Sequence, residues 1–153
     1  MNKKLIITFT VGIFLLGMME LIVSGILELM SSDLGISHAL TGQLITVYAV
    51  SFALFGPILI RLTENMPAKI VVLLSLIVFI IGNVVFGLAE TFLVLSIGRV
   101  ITAMAAAVFI VKILDMTVML SEPRVRGKML ALVYMGFSAA NVFGIPIGTI
   151  IGA

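Results

Sequence analysis

Apolar runs separated by short polar connections account for nearly the whole chain. Five of them, roughly residues 5–29, 40–62, 68–89, 92–119 and 128–152, are each long enough to cross a hydrocarbon core about 30 Å thick as a helix. The connections carry turn and cap chemistry. "SSDLGISHALTG" holds Asp33 and two glycines, "RLTENMPAK" holds Pro67, "AET" is nearly a hairpin, and "SEPRVRGK" combines Pro123, Gly127 and three basic residues. Lipid cannot satisfy an open strand edge, so helices are expected throughout. The expected fold class is all-α: a polytopic membrane helix bundle of about five transmembrane helices. "MNKKLIITFTVGIFLLGMM" has the basic start and apolar centre of a signal peptide, but the apolar run continues to Leu29 without a small-residue cleavage site. An uncleaved first span is expected.

Composition agrees with the pattern. Of 153 residues, 62% are hydrophobic and 10% charged, and the mean hydropathy is +1.37. A soluble domain has about 45–50% apolar and about 25% charged residues, so the excess must face lipid. The net charge of +2 comes from basic residues scattered singly between apolar runs, which excludes a nucleic-acid partner. There is no cysteine, and the one histidine, His38, has no second imidazole with which to share a metal. No nucleophile stands beside a base and no "GxxxxGK" loop is present. Neither an enzyme nor a cofactor is expected.

Lysine and arginine set the expected orientation. Lys3 and Lys4 precede span one, Arg61 and Lys69 flank the turn between spans two and three, and Arg124, Arg126 and Lys128 lie between spans four and five. The alternate connections, around Asp33 and Glu90, have neither residue type. A cytoplasmic N-terminus in a multi-pass cell-membrane protein follows. The chain stops at "GTIIGA" with no polar flank, the ending expected of a truncated span.

Polar residues converge on one depth. At 1.5 Å per residue, Glu20 in span one comes to roughly 22 Å above the cytoplasmic face and Arg99 in span four to about 20 Å. Tyr48, Asn83 and Asn141, in spans two, three and five, come to about 18, 22 and 20 Å. A charge at mid-bilayer costs roughly 2.5–3.5 kcal/mol, so such groups pair or line a cavity. Two readings of Glu20 and Arg99 stay open: a structural ion pair, or a proton carrier tuned by its guanidinium neighbour in a polar cavity. Asn83 and Asn141 are expected to bond between helices or to line that cavity, and Tyr48 to form its wall or pack. Lys112, Asp115 and Glu28 lie near span ends and read as interface anchors.

Span five repeats a small residue at every fourth position: Gly136, Ala140, Gly144, Gly148 and Gly152. These lie along one stripe and permit close backbone approach, and Pro146 beside them removes a backbone donor. The stripe is either a sliding element or a static contact.

Several segments together are specific. "GMMELIVSGIL", "DLGIS", "TGQLITVYAVSFALFGPIL", "IGRVITAMAAA" and "GFSAANVFGIPIGTIIG" resemble the N-terminal part of a major facilitator superfamily transporter, of the bacterial drug:proton antiporter or sugar-efflux type. The resemblance implies a twelve-span fold in two six-span halves, with residues 1–153 forming most of the first half. It associates Arg99 with proton coupling and places Gly136, Gly144, Pro146 and Gly148 in the antiporter motif of span five. Glu64 and Lys69 stand at acid and base positions of the loop between spans two and three. There Pro67 replaces the usual glycine and Ala68 the second base. Ala103 and Glu28 stand where a glycine and a proline are usual.

The function expected from these residues and the resemblance is transport by the front portion of a proton-coupled efflux permease. Glu20 would carry the proton and Arg99 modulate it. Tyr48 and Asn141 would line the substrate cavity, while Glu64, Lys69, Gly136, Gly144, Pro146 and Gly148 would form the conformational switch. The implied partners are the lipid bilayer, protons, a small-molecule substrate and a C-terminal half in cis or in trans. The alternative is a non-transporting truncated membrane protein, or a small helper that packs on another membrane protein through span five.

Overall fold

The computed structural model describes residues 2–152, which are almost wholly helical. Six α-helices follow in order: α1 (Lys3–Gly25), α2 (Leu27–Leu34), α3 (His38–Leu62), α4 (Ala68–Gly87), α5 (Phe92–Met119) and α6 (Arg126–Ile151), with one 3₁₀ turn (Pro123–Val125) before α6. Five helical segments are long and apolar enough to cross a membrane. The first expected span, 5–29, is corrected. α1 ends at Gly25, where the Ile26 N–H donates to the Ile22 and Val23 carbonyls, and residues 27–34 form the separate helix α2. Ile26, Leu27, Leu29 and Met30 are apolar across this break, so hydropathy runs through it.

Side chains cap the starts of α1, α3 and α5. Asn2 accepts from the Lys4 N–H, Ser37 from the Leu40 N–H and Thr91 from the Val94 N–H. Gly35, with φ of 62°, closes α2 in the left-handed region. At the far end of α5, the Arg126 Nε–H donates to the carbonyls of Val118 at 3.1 Å and Ser121 at 3.3 Å, satisfying acceptors that a helix end leaves open.

The chain divides into two compact units: the described parts of Met1–Leu29 and Ile113–Ala153 form one, and Met30–Lys112 the other. In the first, α1 and α6 pack along a seam of small residues. A Cβ on Gly17 would lie 2.8 Å from Ala140 Cβ, one on Gly25 would lie 2.6 Å from the Ile145 carbonyl, and one on Gly148 would lie 2.5 Å from the Ile22 carbonyl. Gly136 sits against the Thr10 carbonyl, and the Thr10 hydroxyl donates to the Leu132 carbonyl at 3.3 Å. Without a hydrophobic drive between helices in lipid, this approach of backbones supplies the packing that holds the pair.

In the second unit α4 and α5 interlock through two glycines. A Cβ on Gly82 of α4 would meet Thr102 at 2.7 Å, and one on Gly98 of α5 would meet Phe86 at 2.9 Å. The pairs Gly82–Thr102 and Phe86–Gly98 run oppositely by four residues, as an antiparallel contact requires. α3 joins α5 where Gly56 faces Ala107. The run Ala105–Phe109 is buried throughout, and 56% of the apolar window of α5 is buried against 22–28% in the other four spans.

Candidate functional site

Arg99 is 4% exposed although it lies within α5, a helix apolar enough to cross a membrane. Two neighbouring helices of its unit meet it. From α3, Tyr48 places its ring 4.3 Å beneath the guanidinium carbon, and the Leu44 carbonyl one turn earlier accepts from Nε at 3.5 Å. From α4, Phe86 brings a second ring to 5.9 Å. Leu44 and Tyr48 share a helix face at i, i+4, and both are buried, at 0% and 4% exposure. The Arg99 carbonyl also accepts from the Thr102 hydroxyl at 3.0 Å. Ring faces attract a cation through their quadrupole by about 0.5–2 kcal/mol, more when water is excluded. Tyr48 is thus a platform for Arg99, and Phe52 stacks beside it at 6.3 Å.

In the other unit, Glu20 is half-buried on α1 and Asn141 exposed on α6. The Asn141 amide donates to the Phe137 carbonyl at 3.0 Å, and on α4 the Asn83 amide donates to the Phe79 carbonyl at 2.8 Å. Both bonds return to the carbonyl four residues earlier on the same helix. Gly136, Gly144 and Gly148 face α1, where Thr10, Leu21 and Ile22 occupy the room that side chains would need. Pro146 lies within α6 without ending it. Glu64, in the turn after α3, and Lys69, in the first turn of α4, are exposed, and among the described residues no ion pair joins them.

A family model described as Major Facilitator Superfamily matches residues 9–153. The chain belongs to that superfamily. It is 36% identical over 138 residues to the uncharacterized MFS-type transporter YbcL of Bacillus subtilis strain 168, which covers 90% of this chain and 35% of the relative. It is 30% identical over 148 residues to the putative transporter AraJ of Escherichia coli K12, covering 96% and 37%. The MFS-type transporter YtbD of Bacillus subtilis is 30% identical over 151 residues, covering 99% and 38%. The chain spans a little over a third of the length of these curated relatives. Membership makes it a multi-pass membrane protein of a transporter family and points away from an enzyme.

Leu44, Phe86 and Gly98 are the parts of the Arg99 surroundings that sequence reasoning did not single out. Gly98 stands directly before Arg99 in "IGRV", and a glycine preceding a buried charge signals that a neighbouring backbone comes close. Nothing in the sequence marks Leu44, since its contribution is a carbonyl.

Proposed function

We propose that the chain forms most of the N-terminal half of a proton-coupled efflux permease for small molecules of the drug or sugar type. It sits in the cell membrane with its N-terminus in the cytoplasm, as the lysine and arginine bias favours. One observation carries the reading: an arginine buried inside a membrane-spanning helix, held by a ring face and a backbone carbonyl of α3. Insertion of such a charge costs roughly 2.5–3.5 kcal/mol, and ring faces return about 0.5–2 kcal/mol. An anion at the same depth supplies the remainder, and Glu20 is the acid placed there by its position in span one.

In this reading Glu20 releases and takes up the proton, and Arg99 stabilises its anionic form. Tyr48 orients Arg99 from the cavity wall and Asn141 presents an amide toward cargo. α1 and α6 move as one body along their seam, and Glu64, Lys69 and Pro146 lie where one half shifts on the other. The test is proton-driven efflux by the complete transporter, with the second half supplied in cis or in trans. Glu20→Gln should abolish proton-driven efflux in proteoliposomes while leaving substrate counterflow without a proton gradient. Unchanged efflux would leave Glu20 as a structural partner only.

A further inference from the structure

α3 carries a polar row that the surroundings of Arg99 do not use. In the unit Met30–Lys112, Gln43, Thr46, Val47, Val50 and Ser51 line a groove of about 410 Å³ along that helix. Their spacing of i, i+3, i+4, i+7 and i+8 puts all five on one face. At 1.5 Å per residue the groove runs from about 8 to about 20 Å into the span, counted from His38. Ser51 is 5% exposed, yet its hydroxyl makes no hydrogen bond among the described residues, and neither do the exposed Gln43 and Thr46 side chains. Elsewhere in the unit Thr41, Ser75 and Thr102 each return the hydroxyl to a carbonyl of their own helix, at 2.9, 2.8 and 3.0 Å, the usual recourse inside a helix. Three polar groups at one groove are thus open to an outside partner.

Acyl chains satisfy none of these groups, so the groove does not face lipid. A packed helix is ill placed as well. Gly42, Ala49 and Ala53, the residues of α3 that admit a close backbone, lie about 110° round the helix from the groove. Two valines with three placed polar groups match the make-up of a small-molecule site, and the volume falls in the range of about 300–1,000 Å³ that such sites occupy. No charged residue stands between Ala39 and Ile60, so nothing on this wall pairs with an ion. The amide and both hydroxyls can each donate and accept, which suits hydroxyl groups that do the same. We propose that the groove is a cargo subsite for an uncharged polyhydroxy molecule of the glycoside class. The Ser51 hydroxyl and the Gln43 amide hold its hydroxyls, and Val47 and Val50 meet the apolar face of its ring. The proposal rests on the transport reading and narrows its cargo.

The chain has no cysteine, so Val50→Cys reports on the groove. Ile45→Cys, also exposed but on the opposite face of α3 at a similar depth, is the control. The complete transporter, with any cysteine of the second half replaced by serine, is reconstituted in proteoliposomes and treated on both sides with a charged methanethiosulfonate reagent. Val50→Cys should react and Ile45→Cys should not. Among methyl glucoside, methyl galactoside, methyl xyloside and lactose, at least one should slow the reaction, and tetraphenylphosphonium, an apolar cation, should not. Ser51→Ala and Gln43→Leu should each raise the concentration that half-protects by about 2- to 12-fold, the loss of one neutral hydrogen bond, with the rate in the absence of sugar unchanged. Val50→Cys no more reactive than Ile45→Cys means that a helix or lipid covers the groove, and overturns the proposal. Reaction that no glycoside slows, which leaves water alone in the groove, overturns it too. So does tetraphenylphosphonium protecting as well as any glycoside, or protection that both substitutions leave unaltered. If efflux is independent of Glu20 while a glycoside still protects, the proton reading alone fails; if efflux stays proton-driven while none protects, the subsite alone fails. If Val50→Cys does not insert, Val47→Cys makes the same comparison.

Discussion

Substituting Gly148 with alanine tests the seam between α1 and α6 most directly. The added Cβ would lie 2.5 Å from the Ile22 carbonyl oxygen and 2.9 Å from Gly25 Cα, where ordinary contact begins at 3.4 Å, so the helices must part locally by about 0.9 Å. Both obstacles are backbone atoms, which cannot swing aside as a side chain would. Overpacking of this kind costs about 1–3 kcal/mol, and alanine recovers up to about 1 kcal/mol in helix propensity. Gly148→Ala should therefore lose up to about 2 kcal/mol. Gly42→Ala is the internal control: Gly42 lies within α3 with nothing within 4 Å of a Cβ, so it should gain up to about 1 kcal/mol. The chain has no cysteine, so spin labels on Val11→Cys and Met135→Cys, both exposed, report the separation of α1 and α6 during titration of mild micelles with a denaturing detergent. The midpoint should fall for Gly148→Ala and hold or rise for Gly42→Ala. Shifts of the same sign and size would refute the close approach.

Two further substitutions probe the remaining polar groups. Tyr48→Leu should destabilise the chain by about 0.5–2 kcal/mol more than Tyr48→Phe, because phenylalanine keeps the ring face beneath Arg99; equal midpoints in the same titration would remove the platform. Ser121 is 5% exposed and its hydroxyl has no hydrogen-bond partner among the described residues. Ser121→Ala should stabilise the chain by about 1 kcal/mol, since the carbonyl that accepts from Arg126 is retained; a lower midpoint would show that the hydroxyl is bonded.

The spans were legible because lipid imposes one rule on length and hydropathy, and α5, Phe92–Met119, begins and ends where the apolar run does. The interruption at Ile26 was not legible, because apolar residues, Ile26, Leu27, Leu29 and Met30, continue across it. The stripe from Gly136 to Gly148 could be seen from its spacing, but a spacing does not name the helix it faces, and α1 holds that place. Asn83 and Asn141 show the reverse limit. Their amides looked available to neighbouring helices, yet each donates to a carbonyl of its own. A backbone acceptor is present at every turn and leaves no trace in sequence.

Arg99 was conspicuous by its insertion cost, but what surrounds it depends on a residue with no side chain. A Cβ on Gly98 would meet the Phe86 backbone nitrogen at 2.9 Å and would push α4 outward by about 0.5 Å to reach ordinary contact at 3.4 Å. Phe86 already holds its ring centre 5.9 Å from the guanidinium carbon, close to the limit of about 6 Å for a cation over an aromatic face. The same displacement would carry it beyond that limit, while Tyr48, at 4.3 Å on α3, would be left in place. Gly98 thus decides whether the buried cation is met by one ring or two. The interlocking of α4 with α5 is part of the electrostatics of the site as well as of the packing.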